Sequence, residues 1–370
     1  MKSSDADIRE EEQLRFEVCI RTRLDPQQKE WVTHPEKVYP RQSAVLAVHW
    51  HPEYIPMEFI RQRIENLFPN RRNQLIIPTQ HNQITEYGPY AGVEVDCYST
   101  GFHSKVQLLI HFQKDKLEKA SVFKNILKHT FTYRSSQLFS FLRALTQPDE
   151  QILQWAAEET GATAEVIDFV RYQAQRLEML LDKNYDAVPA ASIKNKLIRD
   201  YIDLLRGEHD GLFIDRAQTF LRAVKAKVKE GFPLSYFYRT NEVIEEARSL
   251  GAGIVIPHPE QFWPILLADY DVDGYEVWNP QSQEYTEFLI TVLNRRNKQI
   301  NNSRPLLVFM GDDTHLSEKV KDPVARDKEK ASREIGLQPG WEDMQIRKQL
   351  LKAGMDRARV IQEYSARLAG

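Results

Sequence analysis

Short apolar runs recur along the chain, and their spacing changes three times. In LRFEVCIRTRL (14–24) apolar and polar positions alternate, which predicts a strand with one buried face. QSAVLAVHW (42–50) is an apolar run between polar, Pro-containing segments. QLIIP (74–78), GVEVDCY (92–98) and KVQLLIHF (105–112) follow in the same style, and each reads as a strand. From 115 to about 250 the texture changes. KLEKASVFKNILKH, DEQILQWAAEET, AEVIDFVRYQAQRLEMLLDK and RAQTFLRAVKAKVKE carry the three-and-four spacing of helices. Strand-like runs then return in GAGIVIPHP (251–259), DGYEVWNP (273–280) and RPLLVFMGDD (304–313). The tail, 316–370, reads as helical. KVKDPVARDKEKASRE within it is dense in charge and predicts a solvated segment, and EDMQIRKQLLKAGMDRARVIQEYSARL predicts an amphipathic closing helix. Residues 1–13 read as a frayed, acidic end. Alternating strands and helices, with the polar chemistry at strand ends, predict an α/β architecture.

Composition narrows the class. With 370 residues, 42% hydrophobic and 28% charged, the chain is an ordinary globular one. A net charge of -3 gives no sign of a bulk nucleic-acid binder. Two cysteines, Cys19 and Cys97, make no disulfide framework and fit a reducing compartment. The start, MKSSDADIREEEQ, lacks the apolar core of a signal peptide, and no apolar run reaches the ~18 residues of a membrane span. The expectation is a cytoplasmic protein with no membrane partner.

The chemistry collects where the apolar runs end. In AVHWHPE (47–53), His49 and His51 stand two apart, which on a strand places both on one face. That spacing suits two imidazoles on one metal ion. His81 follows QLIIP, and Glu94 and Asp96 share a face of GVEVDCY. Gln107 and His111 share a face of KVQLLIHF, with His103 in the same parity. His258 ends GIVIPHP, and Asp312, Asp313 and His315 end LLVFMGDDTH, where Asp313 and His315 repeat the two-residue spacing. Singly, each has a plain structural alternative: a loop histidine, a salt-bridged carboxylate, a turn residue or a helix cap. Together they would converge at one mouth, and imidazole with carboxylate suits Zn, Mn or Fe better than Ca or Mg.

The order of these motifs resembles the PHP (polymerase and histidinol phosphatase) family of metal-dependent phosphoesterases. The chain carries AVHWH where that family has a DxHxH strand, TQH (79–81) for a TDH-type turn, and GVE (92–94) for a GxE strand. PHP (257–259), DGYEVWN (273–279) and GDDTH (311–315) stand for its AHP, DGIEVxN and GSDAH motifs, so the likeness covers 44–315. The resemblance implies a distorted seven-stranded β/α barrel at 41–320 with a helical insertion at about 115–250, after an N-terminal extension (1–40) and before a C-terminal helical tail (321–370). It implies one to three divalent ions. His49, His51, Glu94 and Asp313 would hold the first and form the catalytic set. Glu94 would bridge to a second ion held by His258 and His111, and His81 with His315 would hold a third. The chain departs from the pattern at Ala47, where the family has Asp, at Pro56, for which Glu53 or Glu58 would substitute, and at Gln107, for which His111 would compensate.

The activity so implied is hydrolysis of a small phosphorylated substrate by metal-activated water. Lys105 and Arg134 are candidate phosphate contacts, and Trp278 reads as core in preference to a stacking platform. Two other readings stand beside it: a PHP-like module that binds or regulates without chemistry, and a metal-dependent nuclease, against which the acidic net charge argues.

Overall fold

The first strand expected from alternation is a helix. The computed structural model describes residues 7–147, 150–299, 304–323 and 326–370, so the expected frayed end lies partly outside it, at 1–6. From Glu10 to Ile20 the chain is helical (α1), opened by three acidic residues and by the Glu12 carboxylate accepting from the Arg9 amide at 2.9 Å. The alternation misleads because Leu14 and Val18 are exposed, whereas Phe16, Cys19 and Ile20, three and four apart, pack into a helical core.

The remaining elements follow in chain order. They are α2 (Pro26–Thr33), β1 (Ala44–Ala47), β2 (Trp50–His51), α3 (Met57–Leu67), β3 (Asn73–Ile76), β4 (Thr85–Tyr87), β5 (Tyr90–Ser99) and β6 (Ser104–Gln113). Helices α4 (Ser121–Thr146), α5 (Glu150–Thr160), α6 (Ala164–Asn184), α7 (Leu197–Asp203), α8 (Gly211–Glu230) and α9 (Thr240–Ser249) come next. The chain closes with β7 (Gly253–Ile256), β8 (Gly274–Trp278), α10 (Thr286–Gln299), β9 (Leu307–Met310), β10 (Thr314–His315), α11 (Lys328–Ser332), α12 (Met344–Lys352) and α13 (Arg357–Ala369).

Two compact units result. One is Met1–Arg23 with Thr132–Pro233 and is helical, with a core that includes Phe16, Phe141, Leu177, Tyr201 and Phe220. A buried ion pair, Arg176 with Glu12, ties α1 to α6 within it. The other, Leu24–Phe131 with Leu234–Gly370, carries every described strand.

The barrel expected from the motif order is not what the strands form. Six of them make one mixed sheet in the order β4-β5-β6-β7-β8-β9, antiparallel from β4 to β7 and parallel from β7 to β9. Among the described residues β1 pairs only with β3, and β2 only with β10, both in parallel. Among the described residues no closed barrel is present. The physical reason lies in the connections. β5 and β6 are ten-residue neighbours joined by a tight turn, which makes an antiparallel hairpin. A β/α barrel needs parallel strands, each with a helical crossover.

The closing helix expected from the amphipathic tail is two helices, α12 and α13, broken at Gly354, whose φ of 65° stops the first, and α13 closes the sheet's core. Val360, Ile361, Tyr364 and Leu368 of α13 are buried. Tyr364 lies over Gly253 so closely that a Cβ there would overlap its hydroxyl. Asp273, fully buried ahead of β8, receives Arg248 at 2.7 Å, Arg304 at 2.6 Å and Arg367 of α13 at 3.3 Å. The charged segment 319–334 is not uniformly solvated. Lys319 and Arg333 are buried, and Lys319 donates to Glu334 at 2.8 Å, while Val324 and Ala325 lie outside the described residues. No described helix is long and apolar enough to cross a membrane.

Candidate metal centre

The apolar run QSAVLAVHW does not continue as one strand. β1 ends at Ala47, His49 sits at a bend, and β2 begins at Trp50. β2 then pairs with β10, which sets His51 opposite His315, and the Asp313 amide donates to the His49 carbonyl at 3.0 Å. The two segments with two-residue spacing, HWH and DTH, therefore lie side by side. His81 enters from the loop after β3 through an isolated parallel bridge with Glu94, flanked by amide bonds of Glu94 to Gln80 and of Asn82 to Glu94. His258 enters from the end of β7.

Backbone strain collects at the same place. Glu53, Asn82, His258 and Asp313 have φ of 53°, 53°, 28° and 46°, and the remaining described non-glycine residue of positive φ is His103. Left-handed backbone at such residues costs of order 1–3 kcal/mol each and persists where the surroundings over-determine it, which happens often at functional sites.

Seven of the eight expected ligands come together. They form three overlapping groups: His51, His81 and His315; His49, His51 and Asp313; and His49, Glu94 and His258. Asp313 Oδ1 lies 3.3 Å from His51 Nε2, 3.5 Å from His315 Nε2 and 3.6 Å from His49 Nε2. Glu94 lies 3.7 Å from His51 Nε2 and 3.6 Å from His258 Nε2, and it contacts His81 Nδ1. The His51 ring stacks between His81 and His315, with centroids 4.4 and 4.3 Å away.

These residues fit a divalent cation. Ligands about 2.0–2.1 Å from a common tetrahedral centre lie about 3.3–3.4 Å from one another, close to the separations around Asp313 Oδ1. His49 Nε2 and both nitrogens of His51 are buried and make no hydrogen bond. Buried polar atoms without partners are rare and costly, and a cation would satisfy them. His49 has one nitrogen to give, because Nδ1 meets Glu276 Oε2 at 2.6 Å while Asn279 holds the other Glu276 oxygen at 2.6 Å. The two groups that include His49 therefore draw on the same atom.

Electrostatics separate neighbours two residues apart. Burial works against the charged form of His49, but Glu276, then Asp313 and Glu94, outweigh it and push its pKa up to about 10. Burial, with His315 and His81 beside it, pushes His51 down to about 3. Burial also opposes charge on Asp313 and Glu94. The imidazoles of His315 and His51 facing Asp313, and the charge of His81 with the contacts of His258 and His81 on Glu94, hold both carboxyls well below their usual range. Both acids are thus anionic, as ligands to a metal must be.

His111 stands apart from the groups. Its ring lies between Tyr364 Oη at 2.7 Å and the Val48 carbonyl at 3.0 Å, fully buried. Gln107 sits across the ladder from Asp96. Asp96 accepts from Asn82 at 2.8 Å and from Lys105 at 2.6 Å, bonds that brace the His81 loop. Arg134 belongs to the helical unit, Glu58 is exposed on α3, and Trp278 is core. Glu53 faces His315 Nδ1 at 3.7 Å and accepts from the Ser317 amide at 2.9 Å. Asp312 is buried and accepts from Gly336 and Gln338, away from the ligand groups.

Three residues escaped the sequence reading. Glu276 orients His49, and Gln281 and Arg333 hold Asp313. A signal existed for Glu276, a lone charge within the apolar strand GYEVW. Gln281 and Arg333 have no local signal.

No family model matches the chain, and no curated protein matches it. Among solved structures, one match is a candidate metal-dependent phosphoesterase from Bifidobacterium adolescentis. It is 16% identical with a TM-score of 0.44, over 86% of this chain and 99% of that one. A likeness at that level decides neither fold nor function.

Proposed function

We propose that the chain is a metal-dependent phosphoesterase of the PHP type, acting on a small phosphorylated substrate. The observation that carries the reading is the convergence of five buried or half-buried histidines on Asp313 and Glu94, around the buried Nε2 of His49 and both ring nitrogens of His51. His49, His51 and Asp313 would hold one divalent ion of Zn, Mn or Fe, with Glu94, His258, His81 and His315 available to one or two more. Such an ion supplies Lewis acidity toward a phosphoryl oxygen and makes water a competent nucleophile near neutral pH.

The chain's own groups prepare the site. Glu276 accepts the Nδ1 proton of His49 and so directs the Nε2 lone pair inward. Glu94 and Asp313 supply negative charge in a buried setting, so a cation is attracted strongly. The sequence order AVHWH, TQH, GVE, PHP, DGYEVWN and GDDTH supports the phosphoester assignment among metal-dependent hydrolases.

The test is the metal content of purified protein by plasma mass spectrometry, beside His49→Ala/His51→Ala and Asp313→Ala variants, followed by a phosphomonoester screen. The expected result is one to three equivalents of transition metal, lost in the double variant, with hydrolysis that disappears with Asp313→Ala. Absence of metal after reconstitution would remove the hydrolase reading.

A further inference from the structure

We infer that Arg333, from the charged segment after the last strand, is a positioning residue that fixes which oxygen of Asp313 faces the metal centre. The inference rests on the metal-centre reading above and goes beyond its ligands to a segment outside the motif resemblance.

The two oxygens of Asp313 have different company. Oδ1 faces His51, His315 and His49 at 3.3, 3.5 and 3.6 Å. Oδ2 accepts from Gln281 Nε2 at 2.9 Å and from Arg333 Nη1 at 3.1 Å. A carboxylate with one oxygen held by two donors cannot rotate to offer both oxygens to a cation. It is restricted to one-oxygen ligation, with the second oxygen anchored in protein.

Arg333 is placed for this by burial. Its side chain is 4% exposed, its other terminal nitrogen meets Glu329 at 2.9 Å, and its Nε makes no hydrogen bond. A buried guanidinium with one buried counter-ion is costly unless that pair is retained for something. Glu329 is 69% exposed and contributes little to holding it.

The adjacent acid anchors the same segment. Asp312 accepts from the Gly336 amide at 2.9 Å and from Gln338 at 3.2 Å, and Gln338 also donates to the Leu46 carbonyl at 2.7 Å. These bonds fasten 336–338 to Asp312 and, through Gln338, to β1, and the fastened segment returns Arg333 to Asp313. One carboxylate of the pair holds the segment, and the segment holds the other carboxylate.

The experiment titrates metal-stripped, full-length protein with Co2+ and follows the visible d–d absorption, for wild type, Arg333→Met, Arg333→Lys and Gln281→Ala. The expected result is a Kd for Co2+ raised about 10–100-fold in Arg333→Met, a smaller rise in Gln281→Ala, and a shifted band in both as Asp313 turns. Arg333→Lys, which keeps the cation, recovers part of the affinity. Gln281 is exposed, so its variant decides the question if Arg333→Met does not fold. Wild-type affinity and an unshifted band in Gln281→Ala and Arg333→Met overturn the inference and leave the metal centre standing. A wild type that takes up no Co2+ overturns both.

Discussion

His49 and His51 are two residues apart and equally buried, yet one is pushed to about 10 and the other to about 3. The difference is one carboxylate beside His49 and two imidazoles beside His51. Glu276 touches His49 Nδ1, while His51 is flanked by two imidazoles. Glu276→Gln should therefore act through His49, lowering zinc affinity about 10–100-fold with no ligand removed. Gly311→Ala is expected to do the same by a different route, since a Cβ there would overlap the Glu276 carboxylate and displace it. Competition with a chromophoric chelator measures both, and unchanged affinity in Glu276→Gln would show that the contact orients nothing. None of this was readable from spacing alone. HWH names two candidate ligands, but the pairing of His49 with a residue 227 positions away exists only in three dimensions.

At the level of elements, β6 shows how a motif residue can be structural. His111 has the expected parity, but the packing of α13 brings Tyr364 to its Nδ1 and the turn of β1 brings the Val48 carbonyl to its Nε2. Burial first, with His49 nearby, pushes its pKa down to about 3, against the pull of the Val48 carbonyl and Asp273. The sign follows from linkage. The unfolded histidine binds a proton near pH 6.5 and the folded one does not, so its stabilisation is whole above about pH 6.5 and is lost as pH falls toward 3. His111→Gln, measured by urea unfolding of metal-stripped protein at pH 7 and pH 5, should show a shallower loss of stability than wild type. An equal loss would mean that His111 is solvated or charged in the fold. α1 makes the complementary point, because its alternating pattern was legible and wrong. Phe16, Cys19 and Ile20 found a helical core, and tertiary packing overrode a local period.

For the molecule as a whole, the sheet unit depends on charge as well as on apolar burial. Asp273 gathers Arg248 from α9, Arg304 ahead of β9 and Arg367 from α13 onto one buried carboxylate. Burial opposes its charge, and Arg248 foremost, with the Ile254 amide and Arg304, holds the carboxyl below its ordinary range. Asp273→Ala would leave three guanidiniums around an empty centre, and the expected cost is about 3–5 kcal/mol. Thermal melts by circular dichroism check this, and a loss under about 1 kcal/mol would show that the arginines are held by solvent instead. The same fastening keeps α13 on the sheet and, through Tyr364 and His111, supports Val48 at the end of β1, just before His49.

Read by itself, the sequence determined which side chains stand at the ends of apolar runs, because strand ends and turn residues are set by neighbours in the chain. It determined the alternation of helices with strands for the same reason, and it made the ordered motifs from AVHWH to GDDTH visible. Only the tertiary structure decided how the strands join. Pairing is chosen by long-range hydrogen bonding, and the β5–β6 hairpin took the sheet away from a closed parallel barrel. Only it decided that His111 turns to Tyr364, that Glu276 braces His49, and that a charged segment expected in solvent buries Arg333 beside Asp313. In each case the partner is remote in sequence, and burial, which no local pattern fixes for a charged residue, determines what the side chain does.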